Sequence, residues 1–326
     1  MTTARLVELH AFGGPEVIQL VSKPLPPPAA GEVQLQQTAI GFNYIDVYQR
    51  SGKYPLPTPS GLGHEAAGVV QAIGEGVTDF NIGEHVVYMN AGLGAYASHR
   101  NVAANKLVKI PQGISDEAAA AVFFKAMTAQ YLVKKTHPIQ PGDIVIVHAA
   151  AGGVGLILSS WAKALGATVI GTAGSAAKCE MARAAGCDAC IDYTKDHWVE
   201  QVLAAMKGKK ARVVYDSVAK HTFMGSLDLT APFGMVVLYG AASGPAPSID
   251  PELLNKKGCL FLTRPSVFPH NADLATFRAN AADVFQAMAS GAVKASIGAK
   301  FALDQVSAAH RAAEARETTG AIIMLP

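Results

Sequence analysis

The chain has 326 residues, 50% of them hydrophobic and 16% charged, with 27 basic against 25 acidic side chains for a formal net charge of +2. That length and apolar content support two domains with cores of their own and exclude a disordered chain, and a balance so near neutrality gives no bulk attraction to nucleic acid or to an anionic membrane. No run approaches the roughly 18–20 uninterrupted apolar residues of a membrane span, Met1 to Leu9 alternates polar with apolar residues instead of forming a signal-peptide core, and the four cysteines all fall between positions 179 and 259, so a soluble, cytoplasmic protein with reduced thiols is expected.

Up to about Val122, glycine and proline recur at short intervals, as in Gly13-Gly14-Pro15, Pro55-Leu56-Pro57 and Gly61-Leu62-Gly63. They separate short β-branched runs such as Val69-Val70, the texture of a compact all-β domain. Residues 116–131 are Ala-rich without Gly or Pro, which predicts a helix capped by Ser115 and a domain boundary close by. From Gly142 the pattern changes to apolar strands at 144–148, 168–172, 189–192, 213–217, 235–239 and 260–263, alternating with helices at 155–165, 175–185, 196–206 and 221–230. This predicts a doubly wound parallel α/β sheet. The last stretch breaks that rhythm, with a helix expected at 273–290, a strand at 296–301, a helix at 303–316 and a terminal strand at 321–325, elements that could rejoin the N-terminal domain.

The strongest chemical signal follows the first α/β strand, in Ala149-Ala150-Ala151-Gly152-Gly153-Val154-Gly155. Against G-x-G-x-x-G, Ala150 replaces the first glycine while Gly152 and Gly155 keep the other two. Gly152 would let a pyrophosphate approach the backbone, and Gly155 would let the next helix pack on its strand with its N-terminus facing the phosphates. Such loops also occur as plain tight turns, but the strand before, the helix after and the repeated α/β units point to a dinucleotide. Its identity turns on the end of the second strand, where an NAD site carries an acid for the ribose 2′-hydroxyl. The chain reads Gly171-Thr172-Ala173-Gly174-Ser175 and then Lys178, with no carboxylate, so NADPH is expected, unless Lys178 is an ordinary solvated helix residue.

The whole chain resembles the medium-chain dehydrogenase/reductase superfamily and, within it, the zinc-free NADPH:quinone oxidoreductases of the zeta-crystallin type. The resemblance is carried by Gly41-Phe42-Asn43-Tyr44-Ile45-Asp46, Arg50-Ser51-Gly52-Lys53-Tyr54-Pro55, Gly61-Leu62-Gly63-His64-Glu65-Ala66-Ala67-Gly68, His148 to Gly155, Val213-Val214-Tyr215-Asp216-Ser217-Val218 and Thr263-Arg264-Pro265-Ser266. It implies a GroES-like, mainly β catalytic domain from residues 1–124 and 267–326, a Rossmann domain at 125–266 inserted between them, a cleft holding NADPH, and a homodimer joined near residues 258–263. It also implies cofactor roles for Tyr131, Gly152, Gly153 and Val154, and for Gly174, Ser175, Lys178, Tyr193 and Arg316 around the adenosine ribose and its phosphate. Ser217 follows near the adenine side, with Tyr239, Gly240, Ala241, Ala242, Arg264, Pro265 and Ser266 near the nicotinamide. Asn43, Tyr48 and Tyr54 are the candidate catalytic residues, placed to orient nicotinamide and substrate; both tyrosines can equally be rim aromatics. Lys125 and Thr128 lie in a stretch that faces the cleft in relatives, although a helix surface would explain them.

Catalytic zinc in the related alcohol dehydrogenases needs a thiolate. Asn43 stands where those enzymes place it, and the four-cysteine zinc lobe is missing, so no metal is expected and His64 reads as a hydrogen-bonded structural histidine. Cys187-Asp188-Ala189-Cys190 runs into a strand instead of starting a helix, and its two thiols are read as incidental groups that need not meet. Without a metal, reduction rests on hydride (or single-electron) transfer from the coenzyme and on donors for the developing oxyanion. Three functions follow from the resemblance: reduction of a small-molecule quinone, reduction of activated C=C bonds in alkenals or enones, or coenzyme binding without catalysis.

Overall fold

The computed structural model describes residues 2–315 and 317–326. The chain opens with strands β1 (Thr2–Leu9), β2 (Ile18–Leu25) and β3 (Glu32–Gly41), helix α1 (Tyr44–Arg50), and strands β4 (Glu65–Ile73), β5 (His85–Met89), β6 (His99–Ala103) and β7 (Leu107–Lys109). Helix α2 (Asp116–Tyr131) begins where the sequence places it, with Ser115 Oγ accepting the Ala118 amide at 3.2 Å. Then come β8 (Ile144–Val147), α3 (Gly153–Ala164), β9 (Thr168–Ala173), α4 (Ala176–Ala184), β10 (Ala189–Asp192), α5 (Trp198–Ala205), β11 (Ala211–Asp216), α6 (Phe223–Leu229), β12 (Thr230–Leu238), α7 (Glu252–Lys256), β13 (Phe261–Thr263), α8 (Val267–His270) and α9 (Leu274–Ala289). The chain closes with β14 (Ile297–Ala302), α10 (Val306–Glu314) and β15 (Ala321–Leu325).

Two compact units result, one from residues 1–125 and 295–326, the other from 126–294. In the first, β14-β15-β3-β4-β5-β7 form one sheet, with β6 also paired to β3 and β1-β2 as a separate hairpin. Its core joins both ends of the chain: Val33, Leu35, Ile40, Leu62 and Tyr88 pack with Leu303, Val306, Ala309 and Met324. The Phe42 amide donates to the Ile322 carbonyl at 3.1 Å, and Arg50, 1% exposed, makes a bidentate pair with Glu314 at 2.8 and 2.7 Å. The second unit holds a six-stranded parallel sheet in the order β10-β9-β8-β11-β12-β13, the strand order of a doubly wound dinucleotide-binding domain.

The C-terminal return differs from expectation, since the chain rejoins the first unit at residue 295 and not at 267. The reason is α9, which stays with the second unit: Asp283 accepts from Gln130 Nε2 at 3.1 Å and faces Lys134 at 3.9 Å, while Asn280 Nδ2 donates to Asn271 Oδ1 at 2.9 Å. The thiols of Cys187 and Cys190 lie against Gly171, 2.9 and 3.2 Å from where its Cβ would be. They are buried and free, and burial pushes the Cys187 thiol up to about 11, away from reactive thiolate.

Candidate active site

In the parallel-sheet unit, β8 ends in a loop whose Ala149 takes φ +52°, and α3 starts at Gly153, two residues before the expected Gly155. Gly152 caps it in extended conformation with no side-chain hydrogen bond, so the first amides of the helix, on Gly153 and Val154, have no side-chain acceptor in the cap. Gly155 has a packing role: a Cβ there would sit 2.2 Å from the Ala149 carbonyl oxygen, whereas one on Gly152 would lie 3.2 Å from the same atom. An uncapped helix start against a close-packed glycine turn is a ready anion site.

At the end of β9, Gly174 and Ser175 lead into α4, where Ser175 Oγ accepts the Lys178 amide at 3.3 Å. A Cβ on Gly174 would lie 3.4 Å from Tyr193 Oη, so Gly174, Ser175, Lys178 and Tyr193 form one local group. Asp192, at the neighbouring strand end, is committed to the Thr194 amide and hydroxyl at 3.0 and 2.7 Å. A second group gathers where β11 and β12 end. Ser217 accepts the Ala242 amide on its carbonyl at 3.0 Å, Gly240 packs on the Ser217 backbone with no room for a Cβ, and the Ser217 hydroxyl also bonds Tyr239. Burial pushes the Tyr239 phenol up to about 12 and raises that of Tyr131, with a further rise from Tyr239. Arg264 Nη1 donates to the Leu238 carbonyl at 2.9 Å, Pro265 follows it, Ser266 caps α8, and the Tyr131 ring stacks on His270 at 4.4 Å. Ala241 is buried and Ala242 exposed beside them. Arg316 lies outside the described residues.

In the mainly β unit, α1 presents Tyr44 and Tyr48 edge to face at 5.2 Å, and Tyr54 meets Tyr48 at 5.2 Å with Lys53 Nζ 4.3 Å from the Tyr48 ring centre. Asn43 caps the same helix but turns inward: its Nδ2 donates to Glu65 Oε1 at 2.8 Å, and its amide donates to Asp46 Oδ2 at 2.9 Å. The structure therefore groups Tyr48 with Tyr54 and puts Asn43 in a separate buried network. Tyr96 Oη donates to the same Asp46 oxygen at 2.7 Å. Desolvation raises the Asp46 carboxyl to about 7 against the pull of those two donors. His64 Nε2 bonds Gln49 Oε1 at 3.0 Å, and burial lowers its imidazole to about 4, so the ring is neutral and Nε2 carries the donated hydrogen. Among the described residues no three His, Cys, Asp or Glu side chains gather as a metal-binding group.

Lys125 and Thr128 are 5% and 8% exposed, so they are not helix-surface residues. Lys125 joins Glu65, which sequence reasoning passed over as part of a motif; the signal available was a charged residue opening the otherwise apolar Glu65-Ala66-Ala67-Gly68.

Residues 153–272 match the family model for zinc-binding dehydrogenases, and residues 29–112 the model for the alcohol dehydrogenase GroES-like domain. A quinone oxidoreductase of Salmonella typhimurium is 44% identical, over 99% of this chain and all of that protein. The solved structure of Escherichia coli quinone oxidoreductase complexed with NADPH superposes with a TM-score of 0.95 at 43% identity, covering 99% of this chain and 100% of that one. A 2-haloacrylate reductase of a Burkholderia species is 41% identical over 98% of each chain.

Proposed function

The chain belongs to the quinone oxidoreductases of the medium-chain dehydrogenase/reductase superfamily, and from that membership we propose that it catalyses the NADPH-dependent reduction of quinones. The observation that carries the coenzyme assignment is the start of α3, with no side-chain cap, together with the end of β9, which has no acid of its own and whose neighbour on β10, Asp192, is turned into its own loop. Those residues fit a phosphorylated dinucleotide. NADPH, when bound, supplies the hydride. The amides of Gly153 and Val154 would hold the pyrophosphate, with Gly152, whose own amide donates to the Ala149 carbonyl at 2.9 Å, letting it approach the backbone. Gly174, Ser175, Lys178 and Tyr193, with Arg316, would hold the ribose and 2′-phosphate through donors and positive charge. Ser217 would serve the adenine side, while Tyr131, Tyr239 to Ala242 and Arg264 to Ser266 would seat the nicotinamide. Asn43, Tyr48 and Tyr54 orient the substrate and donate hydrogen bonds to the oxygen on which charge develops. Asn43 and a neutral His64 bonded to Gln49 support a mechanism without a metal.

A turnover assay with NADPH against 1,4-benzoquinone, 9,10-phenanthrenequinone and a short 2-alkenal tests the reading. Quinone reduction supports it; turnover of the alkenal alone shifts the function to C=C reduction, the second reading, favoured by the similarity to 2-haloacrylate reductase. Binding without turnover of either would leave a coenzyme-binding protein. A homodimer is proposed through β13, the last strand of its sheet, where Phe261 is 58% exposed and Phe233 and Leu262 add apolar surface. Sedimentation showing a monomer at micromolar concentration would refute it. No helix among the described residues is long and apolar enough to cross a membrane, which supports the proposed cytoplasmic location.

A further inference from the structure

We propose that Glu65 and Lys125 are positioning residues of the reaction, a buried ion pair that fixes the side-chain amide of Asn43 in the orientation substrate reduction uses; the inference rests on the role given to Asn43 above. Glu65 opens β4 and is 0% exposed. Its carboxylate takes three donors: Asn43 Nδ2 at 2.8 Å and Lys125 Nζ at 2.9 Å on Oε1, and the Phe124 amide at 2.7 Å on Oε2. Asn43 and Lys125 are 6% and 5% exposed. An ionised carboxylate only accepts, so the amide must turn its nitrogen toward Glu65, and the orientation of Asn43 is set chemically.

Two further features are built around this carboxylate. A Cβ on Gly41 would lie 2.3 Å from both Glu65 Oε1 and the Ala120 carbonyl oxygen, so the facing strand leaves out a side chain where the carboxylate and α2 both close on it. The Phe124 amide, in the middle of α2, donates to Glu65 Oε2 at 2.7 Å. A buried ion pair is a poor stabiliser compared with apolar packing of the same volume. A fold that leaves out a side chain beside this carboxylate and gives it a helical amide donor is serving the group on the far side, Asn43. Lys125 completes the arrangement by donating to the same Oε1 that receives Asn43 Nδ2, so it fixes the carboxylate oxygen on which the Asn43 amide rests. The backbone end of Asn43 is held independently by Asp46, whose other donor is Tyr96. Asp46, Tyr96 and Tyr88 also lie within electrostatic reach of Glu65.

The test is a double-mutant cycle in the full-length protein. Glu65→Gln and Lys125→Met, alone and together, are measured in the wild-type background and in Asn43→Ala. Loss of orientation at a reacting group should lower kcat about tenfold or more while changing KM by less than about threefold. In Asn43→Ala the same substitutions should change kcat by less than about twofold. The charge-balanced double variant, with a thermal melt, guards against loss of fold. In the coenzyme-free protein the Asn43 side-chain amide resonances should shift in Glu65→Gln and in Lys125→Met. Equal losses of kcat with and without Asn43, or unmoved amide resonances in folded variants, would overturn the proposal. A wild type that reduces no quinone would instead remove the role of Asn43 on which it rests.

Discussion

Replacing Gly155 with alanine should be far more damaging than the same change at Gly152, three residues earlier. In an open helix, Gly→Ala stabilises by roughly 1 kcal/mol. Position 155 is inside α3, but its Cβ would be forced to 2.2 Å from the Ala149 oxygen and 2.8 Å from Ala150 Cα, both backbone atoms that no rotamer change can move. Ordinary contact begins at 3.4 Å, so α3 must back away from β8 by about an ångström. Overpacking of this kind costs about 1–3 kcal/mol, enough to outweigh the helix gain, and it shifts the first-turn amides that would bind the pyrophosphate. At Gly152 the single close atom is 3.2 Å away, which a few tenths of an ångström would relieve. Gly155→Ala is expected to lower the melting temperature by several degrees and to weaken NADPH binding about tenfold or more, as read by nucleotide fluorescence titration. Gly152→Ala should leave the melt nearly unchanged. A Gly155→Ala protein that melts at or above wild type and keeps its NADPH affinity would show that the helix does not pack as described.

Lys178→Ala and Arg316→Ala should each erode the preference for NADPH over NADH mainly through the KM for NADPH, by about one to two orders of magnitude for loss of a charge-assisted contact; equal affinities for both coenzymes in wild type would remove the phosphate pocket. Asp46 has its folded pKa raised from 3.8 to about 7 by burial, so the stability its neutral form provides is complete below the unfolded value and is lost as pH rises from about 4 to about 7. Asp46→Asn, which cannot ionise, should therefore gain on wild type across that window by roughly 2–4 kcal/mol in denaturant titrations, and a difference independent of pH would contradict the buried carboxyl. Protein purified without a chelator should contain no stoichiometric zinc by elemental analysis; one zinc per chain, lost together with activity, would sink the metal-free mechanism.

Local chemistry made much of the fold legible. Ser115 announced α2, and β10 falls on the residues its apolar run marks, because a strand buried on both faces has few alternatives. The coenzyme loop was legible because its glycines answer to backbone geometry. The clamp on Asn43 was only half legible: a charge opening the apolar run at Glu65 marks one partner, but Lys125 is 60 positions away and nothing local pairs the two. The same applies to α9, whose composition predicts a helix but not its attachment to Gln130 and Lys134.

The way the two chain ends share one sheet sets an order of assembly during synthesis. β15 pairs with β3 at Ile323 and Gly41, and the Phe42 amide is satisfied by the Ile322 carbonyl, so the backbone flanking Asn43 draws part of its partners from residues translated after the whole parallel-sheet unit. The parallel-sheet unit, continuous from 126 to 294, has its whole sequence available earlier. A nascent chain therefore carries an unclosed edge along β3 while its second unit matures, a period in which strand-hungry partners are the hazard.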